Sequence, residues 1–295
     1  MPTRRFRPSL PVDLDLTLRL FSHGPADPCQ RREPGGAWWR SLRTPAGPAT
    51  LRLSRLDGGI EAEAWGSGAA WALEVAPDLC GASDSLEGFA PEGVVAALSR
   101  KLSGLRVPRG RAVFQCLVLA ILGQKVAGAD AWRSYRALCR ALGEPAPGPV
   151  TLSLPPEPSV VANLPSFELR GMGIDARRGG TLIFAARRAR RLEALADGSL
   201  EEAHRRLGAY PGIGPWTRAE TVRIALGDAD AVSVGDYNLP HAVAYNLLGE
   251  ERGDDAQMLE LLEPHRGHRG RVQLLIKYGG RSVPRHAPRR ALRRL

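Results

Sequence analysis

Two patterns of hydrophobic and polar positions divide the chain. In residues 12–20 leucines alternate with polar residues, and turn-forming segments separate shorter apolar runs at residues 37–42, 49–53, 60–65 and 70–75. Alternation with a period of two is typical of half-buried strands, and Gly, Pro and Asp mark the turns between them. The first hundred residues therefore predict a small, mostly antiparallel sheet.

From about residue 91 the pattern changes to helical periodicity. Residues 112–122 are apolar on nearly every face, which predicts a buried central helix. Further helices are predicted over residues 94–105, 127–142, 180–196, 200–209, 218–226, 239–248, 258–262 and 272–278. Seven prolines in residues 145–165 predict an extended connection and not a helix.

These patterns predict an α+β fold with three parts. Residues 1–104 form a β-rich domain and residues 105–280 a helical domain. Residues 281–295 form a basic tail with six arginines and no acidic residue, which we expect to be disordered.

The charge of the chain is uneven. Residues 1–104 carry 12 basic and 12 acidic side chains, whereas residues 105–295 carry 29 and 19, which is the whole net charge of +10. A basic half favours a polyanionic partner such as nucleic acid. Because 38 of the 41 basic residues are arginine, a compositional bias of the genome is an alternative explanation, so the charge only permits this partner.

Several classes of protein are disfavoured. No run of 18 apolar residues is present, and no apolar segment follows the N-terminal arginines, so we expect a cytoplasmic or nuclear protein with no membrane partner. The four cysteines form no C-x-x-C pair, and the last 156 residues contain none. This predicts buried free thiols rather than disulfides, zinc or an iron–sulfur cluster.

Residues 207–217 read Leu-Gly-Ala-Tyr-Pro-Gly-Ile-Gly-Pro-Trp-Thr and separate two predicted helices. Gly212 and Gly214 allow a tight turn that can approach another surface closely. The backbone N–H groups that open the second helix, around Thr217, can hold a phosphate. The alternative is an ordinary connection with glycine at a helix end.

Asp236 lies twenty residues after Trp216, in the segment Val-Gly-Asp-Tyr-Asn-Leu-Pro at the start of another predicted helix. Alone, Asp236 would be interpreted as an N-cap carboxylate. A Gly/Pro-rich hairpin followed at this distance by an aspartate resembles the motif of the helix–hairpin–helix DNA glycosylases.

The resemblance extends over about residues 12–280. Residues 121–124 read Ile-Leu-Gly-Gln and are similar to the family's "ILGQ" segment. Residues 171–174, which read Gly-Met-Gly-Ile and are followed by Arg177 and Arg178, are similar to the family's short loop before the hairpin helices. Residues 264–266 resemble the "PWR" turn before the last helix. A sheet domain ahead of the helices resembles the AlkA-type branch, the 3-methyladenine DNA glycosylase II proteins.

The resemblance implies an enzyme of base excision repair that rotates a damaged base out of double-stranded DNA and hydrolyses its bond to deoxyribose. Asp236 would be the catalytic carboxylate, and Trp216 and Tyr237 would line the base pocket. Trp216 could stack on the base or simply pack the hairpin. Gln124 and Lys125 would fill the gap in the base stack.

The resemblance also implies a monofunctional glycosylase. Relatives that cut the strand carry a Schiff-base lysine at the position of Trp216, whereas the three lysines of this chain, at 101, 125 and 277, lie outside the hairpin. We therefore expect no lyase step, and alkylated purines as substrates.

Other implied features concern cofactors and DNA contacts. We expect no organic cofactor and no iron–sulfur cluster, and a monomer that, in a bacterium, is associated with the nucleoid. The carbonyls of Gly208, Tyr210 and Ile213 would hold a monovalent cation, Na⁺ or K⁺, that bridges to a DNA phosphate. Arg266, and after it Arg269 and Arg271, would contact DNA near the last helix.

Two positions depart from the family's pattern. Glu220 and Leu274 stand where a pocket aromatic is expected. Glu220 would then place a carboxylate in the base pocket, or it could equally be a solvated helix residue. These departures leave two rival hypotheses. One is a non-catalytic protein that binds damaged DNA on the same scaffold; the other is a glycosylase for a deaminated or oxidised base, which would need a proton donor.

Overall fold

The computed structural model describes residues 2–284. Five strands are present in this part of the chain: β1 (Thr3–Phe6), β2 (Gln30–Arg32), β3 (Trp38–Thr44), β4 (Gly47–Leu56) and β5 (Gly59–Trp65). The helices of the same part are α1 (Leu14–Leu18), α2 (Ala69–Leu79), α3 (Gly93–Lys101), α4 (Val113–Gly123), α5 (Gly128–Leu142), α6 (Pro158–Ala162), α7 (Ser166–Gly171), α8 (Ala176–Ala186), α9 (Ala189–Glu193), α10 (Leu200–Gly208), α11 (Pro215–Ala225), α12 (Leu239–Leu247), α13 (Asp255–Leu262) and α14 (Arg269–Gly279). The predicted α+β class is confirmed.

The five strands form one antiparallel sheet in the order β1-β5-β4-β3-β2. The Asp57-Gly58 turn joins β4 to β5, and Gly58 has a φ of +73°, which a two-residue Asp-Gly hairpin requires. Alternate residues of the central strands, such as Leu51 and Ala62, are fully buried where α2 covers the sheet. The prediction of β3, β4 and β5 is correct.

The strand predicted over residues 12–20 is wrong, because this segment forms α1 and a 3₁₀ turn over Arg19–Phe21. The Asp13 side chain accepts hydrogen bonds from the amides of Asp15 at 2.8 Å and Leu16 at 3.0 Å, which starts the helix. Leucines at every second position also include pairs that are four positions apart, and residues four apart lie on the same face of a helix.

The strand predicted over residues 70–75 is also wrong, since this segment lies in α2. Its buried residues recur with helical spacing, and its many alanines favour a helix. Strands β1 and β2 were not predicted. Both are short edge strands rich in arginine, and charged residues are common at sheet edges and hide the strand pattern.

Helix α4 is the buried central helix that its sequence predicts. Its buried residues are Val113, Phe114, Cys116, Leu117, Val118, Ala120, Ile121 and Leu122. Burying a large apolar side chain contributes about 1.5–3 kcal/mol, so α4 anchors the elements packed around it. Among these is α11, the second helix of the hairpin.

A carboxylate from another helix holds the start of α4. Glu193, at the end of α9, accepts hydrogen bonds from the amides of Val113 at 2.8 Å and Phe114 at 3.0 Å. Burial raises the pKa of Glu193 to about 7, although both amide hydrogen bonds act in the opposite direction. The start of the central helix therefore depends on a group that titrates near neutrality.

Two helical predictions need correction. The predicted helix over residues 180–196 is two helices, α8 and α9, because the chain turns at Arg188 (φ −120°, ψ 15°) before continuing to Glu193. The proline-rich connection is not wholly extended, since it contains α6, which begins at Pro158. Proline is accepted at the first position of a helix, where its missing N–H is not needed.

The sheet and the helices share a continuous hydrophobic core that includes Leu51 of β4 and Leu117 of α4. A second cluster packs α3 against α12, α13 and α14. The division at residue 104 stays a prediction. Of the basic tail, residues 285–295 lie outside the described residues.

The four cysteines are buried and free, as predicted. Cys29 and Cys139 lie with their sulfur atoms 3.8 Å apart. Between residues 2 and 284, no helix has the length and apolar character needed to cross a membrane.

Candidate active site

The predicted hairpin is confirmed: α10 ends at Gly208, residues 209–214 turn, and α11 begins at Pro215. Gly214 has extended backbone angles (φ −83°, ψ −179°), and Pro215 occupies the first helical position. No side chain of the described residues caps the start of α11. The first amides of this helix therefore remain available to an anion.

The two hairpin glycines have different structural roles. Gly212 has a φ of +80°, and a Cβ placed on it would lie 2.1 Å from Oγ1 of Thr181 in α8. Gly214 has no other atom within 4 Å of a Cβ placed in the same way. Gly212 therefore allows the turn to pack closely against α8, whereas the side of the turn at Gly214 has free space around it.

Gln124 fastens the end of α4 to the hairpin. Its Nε2 donates hydrogen bonds to the carbonyl of Gly212 and to Oγ1 of Thr217, both at 2.8 Å. Thr217 is buried, so its hydroxyl faces Gln124 and not solvent. In this structure both side chains position the hairpin, and their part in DNA binding stays a prediction.

Lys125 lies in a left-handed backbone conformation with a φ of +54°, which is uncommon for a residue with a Cβ. Its side chain is exposed. Beside it a cavity of about 370 Å³ is lined by residues that include Val126, Ser134 and Ile174. The turn after α4 thus presents a cation to solvent next to the hairpin, at the cost of local backbone strain.

Asp236 is half-buried in the turn before α12, and both of its carboxylate oxygens are hydrogen bonded. Oδ1 accepts from the amides of Asn238 at 2.9 Å and Leu239 at 3.0 Å. Oδ2 accepts from Nε1 of Trp216 at 2.9 Å. Oδ1 therefore satisfies two amides at the start of α12, as a capping carboxylate does, although the N-cap residue is Asn238 and not Asp236; Oδ2 is oriented by the hairpin.

Trp216 bridges three elements. Its indole N–H meets Asp236, while its Cη2 would lie 3.0 Å from a Cβ placed on Gly123 at the end of α4. Gly123 therefore makes room for the indole. Trp216 is half-buried, so it packs the hairpin and also keeps a partly open ring beside the carboxylate.

Glu220 is not a solvated helix residue. Its Oε1 pairs with Nη1 of Arg223 at 2.5 Å and accepts a hydrogen bond from the Ser233 hydroxyl. Burial acts to raise the pKa of Glu220, but the charges of Arg223 and Lys277, together with these hydrogen bonds, lower it to about 2. Glu220 therefore stays ionised and ties α11 to the segment that leads to Asp236.

Three partners in this network were not predicted. Arg223 is buried, and its Nη2 donates to the Ala231 carbonyl and the Ser233 hydroxyl, both at 2.7 Å. Gln273 of α14 accepts from the amide of Ser233 at 3.1 Å. The Glu-x-x-Arg spacing at 220 and 223 signals an ion pair on one helix, but nothing local in the sequence indicates Ser233 or Gln273.

Leu274 does not line the site. It is 2% exposed and belongs to the second core cluster, so the expectation of a pocket wall at this position is wrong. Tyr237, beside Asp236, is 83% exposed and packs edge-on against the His241 ring. Its ring lies on the surface, and its part in a base pocket stays a prediction.

The arginines near the last helix are mostly engaged by acids. Arg271 is buried, and Asp84 accepts its Nη1 hydrogen bond at 2.8 Å, so the expectation that it contacts DNA is wrong. Arg269 pairs with Asp230. Arg266 is exposed and pairs with Glu263.

The hairpin carbonyls that would hold a monovalent cation are only partly free. The carbonyl of Tyr210 accepts a hydrogen bond from the amide of Ile213 at 3.1 Å, which closes the turn. The carbonyl of Gly208 lies at the end of α10. A cation at this position stays a prediction.

Comparisons with known proteins rest on structure. No protein-family model matches the chain, and no curated protein matches it in sequence. The chain is similar to a 3-methyladenine DNA glycosylase from Archaeoglobus fulgidus, with a TM-score of 0.79, 18% identity, and coverage of 93% of this chain and 98% of that one.

Two further solved structures are similar to the chain. An 8-oxoguanine glycosylase/lyase from Clostridium acetobutylicum has a TM-score of 0.72 at 11% identity, covering 94% of this chain and 96% of its own. A 3-methyladenine DNA glycosylase from Schizosaccharomyces pombe, in complex with abasic DNA, has a TM-score of 0.52 at 17% identity, covering 65% and 95%. The chain thus has the fold of the helix–hairpin–helix DNA glycosylases, as its sequence motifs predicted.

Proposed function

We propose that the chain is a monofunctional DNA N-glycosylase of base excision repair. It rotates a damaged base out of double-stranded DNA and hydrolyses the bond between an alkylated purine of the 3-methyladenine type and deoxyribose. The observation that carries this proposal is the position of Asp236, a partly open carboxylate oriented by two backbone amides and by Trp216. Two of the similar structures are 3-methyladenine glycosylases, which supports the substrate class.

The chemistry needs one fixed carboxylate. An alkylated purine is cationic and leaves as a neutral base, so it requires no proton. The sugar develops positive charge as the bond breaks, and a negative charge held beside it stabilises that state. Asp236 also accepts a proton from the water that attacks the sugar. Because three donors hold its carboxylate, little reorganisation is needed during the reaction.

The hairpin supplies the means of holding DNA. The open start of α11 and the unobstructed Gly214 can approach a phosphate, and Lys125 adds a cation on the adjoining turn. A base must leave the stack before Asp236 can reach its sugar. The strained turn at Lys125 is the part of this surface that we propose enters the duplex.

The proposal contains no lyase step. A Schiff base requires an unprotonated amine at the sugar, and the hairpin position that would supply it is Trp216, whose N–H is already bonded to Asp236. The expected product is an abasic site in an uncut strand.

The test is incubation of the purified chain with methylated duplex DNA. Free bases are followed by chromatography, and strands are examined on a gel before and after alkali. Release of 3-methyladenine or 7-methylguanine, with strands that break only after alkali, supports the proposal. Strand breaks without alkali contradict the monofunctional part, and DNA binding without base release favours the non-catalytic alternative.

A further inference from the structure

One face of α8 runs along the hairpin turn. Thr181 lies against Gly212, since a Cβ placed on that glycine would meet its Oγ1. Phe184, three residues later, packs edge-on against Tyr210 of the same turn, with ring centroids 5.5 Å apart. Residues three and four apart share one face of a helix. The hairpin turn therefore covers the middle of a single face of α8.

An arginine lies beyond each end of the covered part. Arg177 comes four residues before Thr181 and is exposed in the first turn of α8. Arg188 comes four residues after Phe184, and its guanidinium carbon lies 3.6 Å from the centroid of the Phe184 ring. Because a helix rises 1.5 Å per residue, the two arginine positions are about 16 Å apart. The turn that carries the open amides of α11 thus lies between two arginines on one face.

No carboxylate neutralises these two charges. Among residues 2–284, neither guanidinium group pairs with an acidic side chain. The exposed arginines of the first hairpin helix differ, since Arg205 and Arg206 both pair with Glu202. The two arginines of the α8 face therefore keep an uncompensated positive charge.

The Arg188 side chain is also held in place. Its Nη1 donates a hydrogen bond to the Phe184 carbonyl at 3.3 Å, and its planar group stacks on the Phe184 ring. Stacking occupies the flat side of a guanidinium and leaves its edge available to a second partner. Three more exposed arginines adjoin it at the turn between α8 and α9: Arg187, Arg190 and Arg191.

This arrangement fits an extended polyanion better than a single small anion. The edge of a guanidinium matches the geometry of a phosphate group. Each strand of duplex DNA carries one phosphate per 3.4 Å of helix axis, so about 16 Å of backbone spans about five phosphates. A strand whose phosphate meets the start of α11 would therefore present further phosphates in both directions along α8.

Given the DNA binding proposed above, we infer that Arg177 and Arg188 bind backbone phosphates of duplex DNA on opposite sides of the phosphate held at the start of α11. These contacts carry no base information and fix the position of the duplex on the protein. The other arginines near Arg188 raise the positive potential at that end and attract the same strand.

The experiment measures binding to duplexes with a single 7-methylguanine by fluorescence anisotropy over a range of salt concentrations. The proteins are the wild type, Arg177→Gln, Arg188→Gln, Arg188→Lys and the matched control Arg140→Gln. Arg140 is an exposed arginine in the last turn of α5 that, within the described part of the chain, has no acidic partner.

Each glutamine variant at the α8 face should weaken binding about three- to tenfold and reduce the slope of log affinity against log salt by about one. Arg188→Lys should keep the wild-type slope because it keeps the charge, and Arg140→Gln should match the wild type. A wild-type slope in either Arg177→Gln or Arg188→Gln overturns the inference.

Shortened duplexes locate the two contacts. Removing base pairs on one side of the lesion should abolish the effect of Arg177→Gln alone, and removing them on the other side should abolish that of Arg188→Gln alone. Loss of both effects on the same side, or survival of both after either truncation, contradicts contacts on opposite sides of the hairpin.

A separate readout distinguishes this inference from the proposed function. With protein in saturating excess, single-turnover base release should be equal in the wild type and both glutamine variants. A slower saturated rate with an unchanged salt slope shows a merely structural role and overturns the inference. Binding without base release by the wild type contradicts the glycosylase proposal, whereas the salt slopes still decide the inference. Melting temperatures show whether each variant is folded.

Discussion

Trp216 and Asp236, twenty residues apart in the sequence, are joined by a hydrogen bond of 2.9 Å from the indole Nε1 to Oδ2. The bond links the hairpin, which would hold DNA, to the carboxylate that would perform the reaction. The hairpin residue at position 216 thus orients the Asp236 carboxylate through its indole N–H.

Replacing Trp216 by phenylalanine tests this orienting role. The Trp216→Phe ring can still pack near Gly123, but the hydrogen bond to Asp236 is lost. Hydrogen bonds to charged groups contribute about 1.5–3 kcal/mol, so the single-turnover rate of base release should fall about 10- to 100-fold with DNA affinity nearly unchanged. The matched control is Trp38→Phe, which removes an indole–carboxylate bond to Asp15 elsewhere in the molecule. Equal rates in both variants would argue against orientation by Trp216.

The two hairpin glycines should respond differently to alanine. In Gly212→Ala the new Cβ meets Thr181 and the residue must keep a φ of +80°, so the free energy of unfolding should fall by about 2–3 kcal/mol. In Gly214→Ala the backbone angles suit any residue and the space is open, so stability should change by no more than about 0.5 kcal/mol. Thermal or denaturant unfolding of both variants checks this, and equal losses would contradict the assigned roles.

Glu193 should make stability depend on pH near neutrality. Its pKa is about 7 in the folded chain and near the ordinary 4.5 when unfolded, so the folded state retains a proton that the unfolded state releases. Its contribution is therefore full below about pH 4.5 and is lost as the pH rises through 7, by about 3 kcal/mol in all. The slope of unfolding free energy against pH between 5 and 7.5 should flatten in Glu193→Gln. An unchanged slope would show that Glu193 does not titrate in this range.

The sequence predicts most of the elements near the site because their signals are local. The Pro-Gly-x-Gly turn and Pro215 predict the hairpin, and the apolar run before Gln124 predicts the buried helix. Both the hairpin and the buried helix are present in the structure. The strand prediction from alternating leucines was wrong at residues 12–20 because leucines at every second position also recur at every fourth position, which is a spacing found on one face of a helix. The Asp13 side chain caps the start of this helix.

The rest of the site depends on long-range contacts. The spacing of Glu220 and Arg223 is visible in the sequence, but their partners Ser233 and Gln273 lie on other segments. Gln273 is fifty residues from Arg223 and forty from Ser233, and only the packing of α14 brings it within hydrogen-bond distance of them. Positions distant in sequence can be placed together only once the fold is known.

The central claim is that Asp236 performs the reaction, and the most direct test is base release by Asp236→Asn. Asparagine keeps an oxygen that can accept from the amides of Asn238 and Leu239 but loses the negative charge. The control Asp254→Asn makes the same change at a carboxylate that caps α13. On duplex DNA with a single 7-methylguanine, Asp236→Asn should bind with an affinity near that of the wild type and release base at least about 100-fold more slowly, while Asp254→Asn retains full activity. Base release by Asp236→Asn at the wild-type rate would contradict the account.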